Sequence, residues 1–194
     1  MRSTVKTNYA KLLKSKQYSL GVWGTGYIGF STMAFFAKFN IKTIGYDISP
    51  EKVALINRGD YIFSDLKKWL RFPVRPLVHK GLLQATTDYN KFSEENVIVH
   101  CIAIPTEKEG KPYFTILKDV IHKISRLIMH RTSPIKPLII VESTLSPRTT
   151  DSIILPLCKA CGIIPGKDFL LCVAPRRDWF VEGSKNLVDL DRVY

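Results

Sequence analysis

No apolar run in this chain approaches the roughly 18 residues that a membrane-spanning helix needs, so no such helix is expected. The first eighteen residues hold Arg2, Lys6, Lys11, Lys14 and Lys16 but no apolar stretch, which argues against a secretory signal. Residues 1–17 read instead as a basic extension, either a solvated tail or a short exposed helix. Cysteine is scarce, with four residues at 101, 158, 161 and 172. Cys158 and Cys161 form a single Cys-x-x-Cys. A tetrahedral zinc site needs a second pair, and His79, His100, His122 and His130 offer no matching spacing. The pair also falls late in a helical stretch, away from the helix start that lowers a thiol pKa, so it reads as structural. Cys101 and Cys172 lie inside apolar, strand-like runs and read as small buried hydrophobes. Such thiols suit a reducing cytoplasm. Acidic residues are outnumbered, 17 against 29 basic, for a net charge of +12. That surplus suits either attraction to a polyanion or a lysine-rich surface whose acidic counterpart lies elsewhere. The basic residues are scattered, which favours the second and makes nucleic acid an unexpected partner.

What is present is a chain of 194 residues, 45% apolar and 24% charged, sized for one α/β domain over residues 18–194. Its most informative segment is Gly24-Thr25-Gly26-Tyr27-Ile28-Gly29. An apolar run ending at Trp23 precedes it, and a helical pattern from Tyr27 to Phe39 follows. A second apolar run, 41–46, ends at Asp47, 18 residues after the last glycine. Each glycine has a physical job. Gly24 permits a tight turn, Gly26 admits a pyrophosphate close to the backbone, and Gly29 lets helix and strand approach. The helix start offers free N–H groups and a positive dipole end to phosphates. Asp47 is placed to accept from an adenosine ribose, and its charge disfavours a 2′-phosphate, so NAD is expected over NADP.

Strands and helices then alternate. Ser49 and Pro50 open a short helix, which Gly59 stops. A helix is expected around 65–70, then a loop, with a third strand near 82–85. The β-branched run 96–104, the helical period of 113–130, the strand 137–141, a helix over 147–161 and a strand at 169–173 complete the pattern. The fold class is therefore a Rossmann-type doubly wound, mainly parallel six-stranded sheet with helices on both faces, in the order 3-2-1-4-5-6. The polar residues after the strands, Thr87, Thr106, Ser143, Thr144 and Arg176, are expected to gather on the carboxyl edge.

In this order and spacing the motifs resemble the UDP-glucose/GDP-mannose dehydrogenase family, in its amino-terminal dinucleotide-binding domain. The markers are the glycine turn at 24–29, Asp47 with Glu51-Lys52-Val53, Asn57-x-Gly59, Ala85-Thr-Thr-Asp88, Ile104-Pro105-Thr106, Glu142-Ser143-Thr144 and Asp189-x-Asp-Arg-Val193. The resemblance implies NAD-dependent oxidation of the C6 hydroxyl of a nucleoside-diphosphate sugar, such as UDP-glucose, to a carboxylate. It implies that Thr25, Tyr27 and Ile28 with the glycines hold the pyrophosphate and that Lys52 stands near the ribose. Thr87, Pro105, Thr106 and Ser143 would line the cofactor path. Thr144 would help place a catalytic water, and Glu182 would stand near cofactor and substrate. Homo-oligomers are usual in the family, through parts lying beyond this domain.

Two departures bear on activity. The family's Pro-Glu after the sixth strand is Pro175-Arg176 here, and an arginine does not shuttle protons at neutral pH; Asp178 is the candidate replacement. The usual Glu-Pro after Asn-x-Gly is replaced by Phe63-Ser-Asp65. The family's nucleophilic cysteine setting, catalytic lysine and sugar-binding domain do not occur in residues 1–194. Three readings follow: a truncated cofactor domain of such an enzyme, inactive alone; a degenerate NAD-binding or regulatory module acting through a partner; and a charge-driven nucleic-acid binder.

Overall fold

The computed structural model describes residues 7–176 and 178. In chain order the elements are α1 (Tyr9–Lys14), β1 (Ser19–Trp23), α2 (Tyr27–Lys38), β2 (Thr43–Tyr46), α3 (Pro50–Arg58), α4 (Ser64–Leu70) and α5 (Arg75–His79). There follow β3 (Leu83–Thr86), α6 (Lys91–Glu94), β4 (Val97–Ile102), β5 (Glu107–Lys108), β6 (Lys111–Pro112), α7 (Thr115–Met129), β7 (Leu138–Val141), α8 (Leu155–Ala160) and β8 (Leu170–Val173). Six parallel strands form one sheet in the order β3-β2-β1-β4-β7-β8. The order reverses between β1 and β4, as the sequence pattern requires.

Side-chain alternation along the strands builds two cores. Leu20 and Val22 of β1 join one cluster with Phe30, Met33, Ile56, Leu66 and Trp69 from α2, α3 and α4. Trp23 joins the other, with Phe92, Leu117, Ile121, Ile124 and Cys158 from α6, α7 and α8. Local chemistry agrees with this layering. The Ser49 hydroxyl accepts from the Lys52 amide at 3.3 Å, Pro50 takes the first helical position, and Gly59 ends α3 at φ +78°. Asn57 donates to the Ala85 carbonyl at 2.9 Å and accepts from the Ala85 amide at 2.7 Å, so its side chain pairs with β3. Gly29 brings α2 onto β1: a Cβ there would collide with the Gly24 carbonyl oxygen.

Several expectations change. Residues 75–79, expected as loop, form α5, because Pro76 fits a first helical turn whose N–H groups have no partner anyway. The polar turn at 107–111 is a small hairpin whose corner residues, Glu109 and Gly110, adopt φ +53° and +73°. Regular helix starts only at Leu155, after a wide turn at Thr150–Ile154, rather than at Pro147. The basic amino-terminal segment is more than an exposed helix. Leu13 of α1 is buried, and the Tyr9 hydroxyl donates to the Lys136 carbonyl at 2.7 Å. Cys172 is exposed, not buried, because β8 is an edge strand on which Leu170 and Val173 also remain exposed. Cys101 is buried.

Behind β1 the Trp23 ring packs edge-on to Phe92, and its indole N–H donates to Nδ1 of His100 at 3.2 Å. Burial holds the His100 imidazole neutral, lowering its pKa to about 3.

Two outcomes test this account. Gly29→Ala is expected to lower the unfolding free energy in urea by about 1–3 kcal/mol, because the Gly24 carbonyl has nowhere to move. His100 gives a pH signature. Its folded pKa is depressed, so the unfolded chain binds the extra proton, and stability falls as pH drops from about 6.5 toward about 3. Within that window the chain should lose roughly 1.4 kcal/mol per pH unit relative to His100→Asn, which keeps an acceptor for the indole but does not titrate. Equal slopes in the two proteins would refute the assignment.

Candidate functional site

The turn between β1 and α2 sits where the strand order reverses. Gly24 adopts φ +85°, and a Cβ there would lie 2.6 Å from the Ala103 carbonyl oxygen. Gly26 caps α2 without any side-chain cap, and the first helical turn carries no acidic residue. A Cβ built at Gly26 meets nothing within 4 Å. The positive end of α2 therefore borders open space at Gly26, which is a fit for a phosphate group.

Asp47 stands at the tip of β2, against that turn. Its carboxylate accepts from the Thr25 amide at 2.9 Å, the Thr25 hydroxyl at 2.8 Å and the Ser49 amide at 3.0 Å. Lys52 lies 3.7 Å away. Burial pushes this carboxyl up, but the Ser49 and Thr25 amides, the Thr25 hydroxyl and Lys52 together outweigh burial and hold it below the usual range. Oδ1, which accepts one amide, has acceptor capacity left. Next to it Ile48 is 80% exposed, an apolar surface at the rim with no core to join.

From the turn, a cleft of about 420 Å³ runs along the carboxyl ends of β1, β4 and β7. Its walls are Gly26–Ile28, Ala103–Glu107, Glu142–Thr144 and Arg176. The Ser143 hydroxyl is engaged by the backbone: it accepts from the Ile104 amide at 2.9 Å and lies 2.8 Å from the Ile104 carbonyl. Thr106 donates to the Thr144 carbonyl at 2.5 Å, and Thr144 itself is exposed. Deeper, Thr32 of α2 donates to Glu142 at 2.7 Å and accepts from Arg176 at 2.6 Å. Arg176 also donates to the Ile28 carbonyl at 3.2 Å and forms an ion pair with Asp178. Arg176 is thus a buried cation tying α2 to the strand ends. Asp178, the candidate for the missing acid, is taken up by that pair.

The structure brings together Gly24, Thr25, Gly26, Tyr27, Ile28, Gly29, Asp47 and Lys52 around the turn, and Pro105, Thr106, Ser143 and Thr144 along the cleft. Thr87 follows β3, two strands from β1 in the sheet, and is not among the residues walling the cleft. The residue before it, Thr86, accepts from the Asp47 amide at 3.2 Å, so Thr87 lies on the Asp47 side of the site. Glu182 lies outside the described residues. Sequence reasoning gave no role to Thr32, Glu142 or Ile48. Glu142 carried a signal as the residue closing an apolar strand, whereas Thr32 looks like any mid-helix threonine until the fold sets it beside residues 142 and 176. Among the described residues no group of three or more His, Cys, Asp or Glu side chains is arranged for a metal ion.

Comparison with known proteins agrees with this geometry. Residues 18–193 match the UDP-glucose/GDP-mannose dehydrogenase family, NAD binding domain. A UDP-N-acetyl-D-mannosamine dehydrogenase from Methanococcus aeolicus is 31% identical over 193 residues, covering 94% of this chain and 40% of the relative. The Pyrococcus horikoshii enzyme of that name is 28% identical over 158 residues, 81% of this chain and 36% of its own length. Among solved structures, a ternary complex of GDP-mannose dehydrogenase from Pseudomonas aeruginosa superposes with a TM-score of 0.71 at 26% identity, covering 81% of this chain and 36% of that one. The chain therefore spans 36–40% of the length of these relatives. With the glycine turn, its carboxylate and its strand order in place, this chain belongs to the UDP-glucose/GDP-mannose dehydrogenase family and corresponds to its NAD-binding domain.

Proposed function

We propose that this chain is the cofactor half of a nucleotide-sugar 6-dehydrogenase, binding NAD for oxidation of a UDP-sugar C6 hydroxyl to a uronate. The observation that carries the reading is the open space at Gly26, set beside the Asp47 carboxylate. The amides at the start of α2 hold the pyrophosphate. Asp47, through its remaining acceptor capacity, takes a ribose hydroxyl, and Lys52 screens its charge. Ile48 offers an apolar face beside the ribose site, suited to an adenine. Bound NAD supplies a hydride acceptor. This chain's own residues position it: Pro105, Thr106 and Ser143 shape the cleft, and Thr144 presents an exposed hydroxyl for ordering water.

The domain binds cofactor without turning over substrate by itself. Within the cleft, Glu142 is hydrogen-bonded to Thr32 and Arg176 is ion-paired with Asp178, so neither is placed as a proton shuttle. Cys101 lies buried, and burial followed by the nearby Glu142 charge pushes its thiol up, away from the thiolate that covalent catalysis needs. The sugar pocket and catalytic nucleophile come from further polypeptide, and oligomerisation and a cytoplasmic setting go with that assembly. A second reading, an NAD-binding regulatory module that acts through a partner, draws support from Arg176 standing where the family has a carboxylate.

Calorimetric titration separates these from a non-binding domain. NADH is expected to bind saturably and more tightly than NADPH. Asp47→Asn should narrow that preference, and Gly26→Val should weaken NADH by at least about tenfold, roughly 1.4 kcal/mol, with little loss of stability. Tighter NADPH binding would overturn the ribose assignment. Turnover of UDP-glucose by the 194-residue chain would overturn the division of labour. Arg176→Ala leaves Asp178 and Glu142 without their cation, so the melting transition should reflect a loss of about 3–5 kcal/mol.

A further inference from the structure

Packing of α7 against α8 joins two residues far apart in sequence. The Cys161 sulfur lies 3.2 Å from Nδ1 of His122, across a separation of 39 residues. The four thiols then fall into three environments. Cys101 and Cys158 are buried, and burial raises both, Cys158 to about 11, which keeps them protonated. Cys172 is exposed on β8. Cys161 is half-buried at the end of α8 and has an imidazole within hydrogen-bond reach.

We propose that Cys161 is a modification site for peroxides and soft electrophiles, with His122 as the base that activates it. Nδ1 of His122, within hydrogen-bond reach of the sulfur, takes the thiol proton as the sulfur attacks. With hydrogen peroxide, the sulfur attacks one oxygen and the O–O bond breaks. Sulfur gives up two electrons and becomes a sulfenic acid, while the departing hydroxide takes the proton from His122 and leaves as water. With a haloacetamide, an S–C bond forms as halide departs, and the imidazolium returns its proton to solvent. The surroundings are basic. Lys118 and Arg126 flank His122 one turn away on α7, Lys159 lies on α8, and the Asp119 carboxylate is held by Lys123 at 2.5 Å. The sulfur lies outside the cofactor cleft, so this site stands or falls independently of NAD binding.

The test uses the whole chain, limiting iodoacetamide at pH 7 and mass spectrometry of the four cysteine peptides, with Cys172 as internal reference. Cys161 is expected to label about tenfold faster than Cys172, while Cys101 and Cys158 react only after denaturation. His122→Ala and His122→Gln should each bring Cys161 to the Cys172 rate. The glutamine keeps a polar side chain in the seam, so it separates loss of the base from loss of packing. Peroxide followed by dimedone trapping should give the same order. A Cys161 rate no higher than that of Cys172, or one unchanged in His122→Gln, would overturn the proposal.

Discussion

The carboxylate of Asp47, clasped by the amide and hydroxyl of Thr25, is the interaction on which the functional edge depends. β1 and β2 run parallel, yet their ends lead into different helices. Backbone pairing carries the two only as far as the Gly24 amide on the Tyr46 carbonyl, at 2.8 Å. Beyond that point one ionised side chain joins the turn before α2 to the turn before α3, because its other oxygen takes the Ser49 amide. The amides that open α2 and the rim that carries Ile48 thereby become one rigid piece. An ionised acceptor suits this task, since its hydrogen bonds are roughly twice as strong as neutral ones.

Much of this edge was legible in the sequence, because the residues that fix it admit few substitutes. A backbone at φ +85°, or a helix riding directly on a carbonyl, leaves glycine as the residue that fits, so Gly24 and Gly29 announce their geometry. Alternating apolar strands and the stripe on α7 at residues 117, 120, 121, 124 and 128 gave the layers and the strand order. What stayed hidden depends on distance across the fold. No local pattern places Thr32 between Glu142 and Arg176, or His122 beside Cys161. Cys172 looked buried because β8 has a buried strand's composition, and only its position at the sheet edge shows otherwise.

The cluster around Arg176 changes the character of the cleft floor. Where the family presents a carboxylate, this chain has a buried guanidinium whose charge is answered by Asp178 and which shares the Thr32 hydroxyl with Glu142. Buried ion pairs repay their desolvation only with good hydrogen bonding, and this one has the Ile28 carbonyl in addition. The result binds α2 to the ends of β7 and β8 and keeps these polar side chains engaged with one another below the cleft. Such a floor favours holding a ligand over moving protons.

The Ser143 hydroxyl braces both polar atoms of the Ile104 peptide, and Asn57 does the same for Ala85. Both side chains therefore recognise main chain, which every amino acid except proline presents alike. A frame pinned in this way makes these hydrogen bonds indifferent to the side chains at 104 and 85, which answer only to the packing of the two cores. That latitude is one physical reason why a lineage can shed about three quarters of its letters and still superpose, as this chain does on a bacterial homologue at 26% identity.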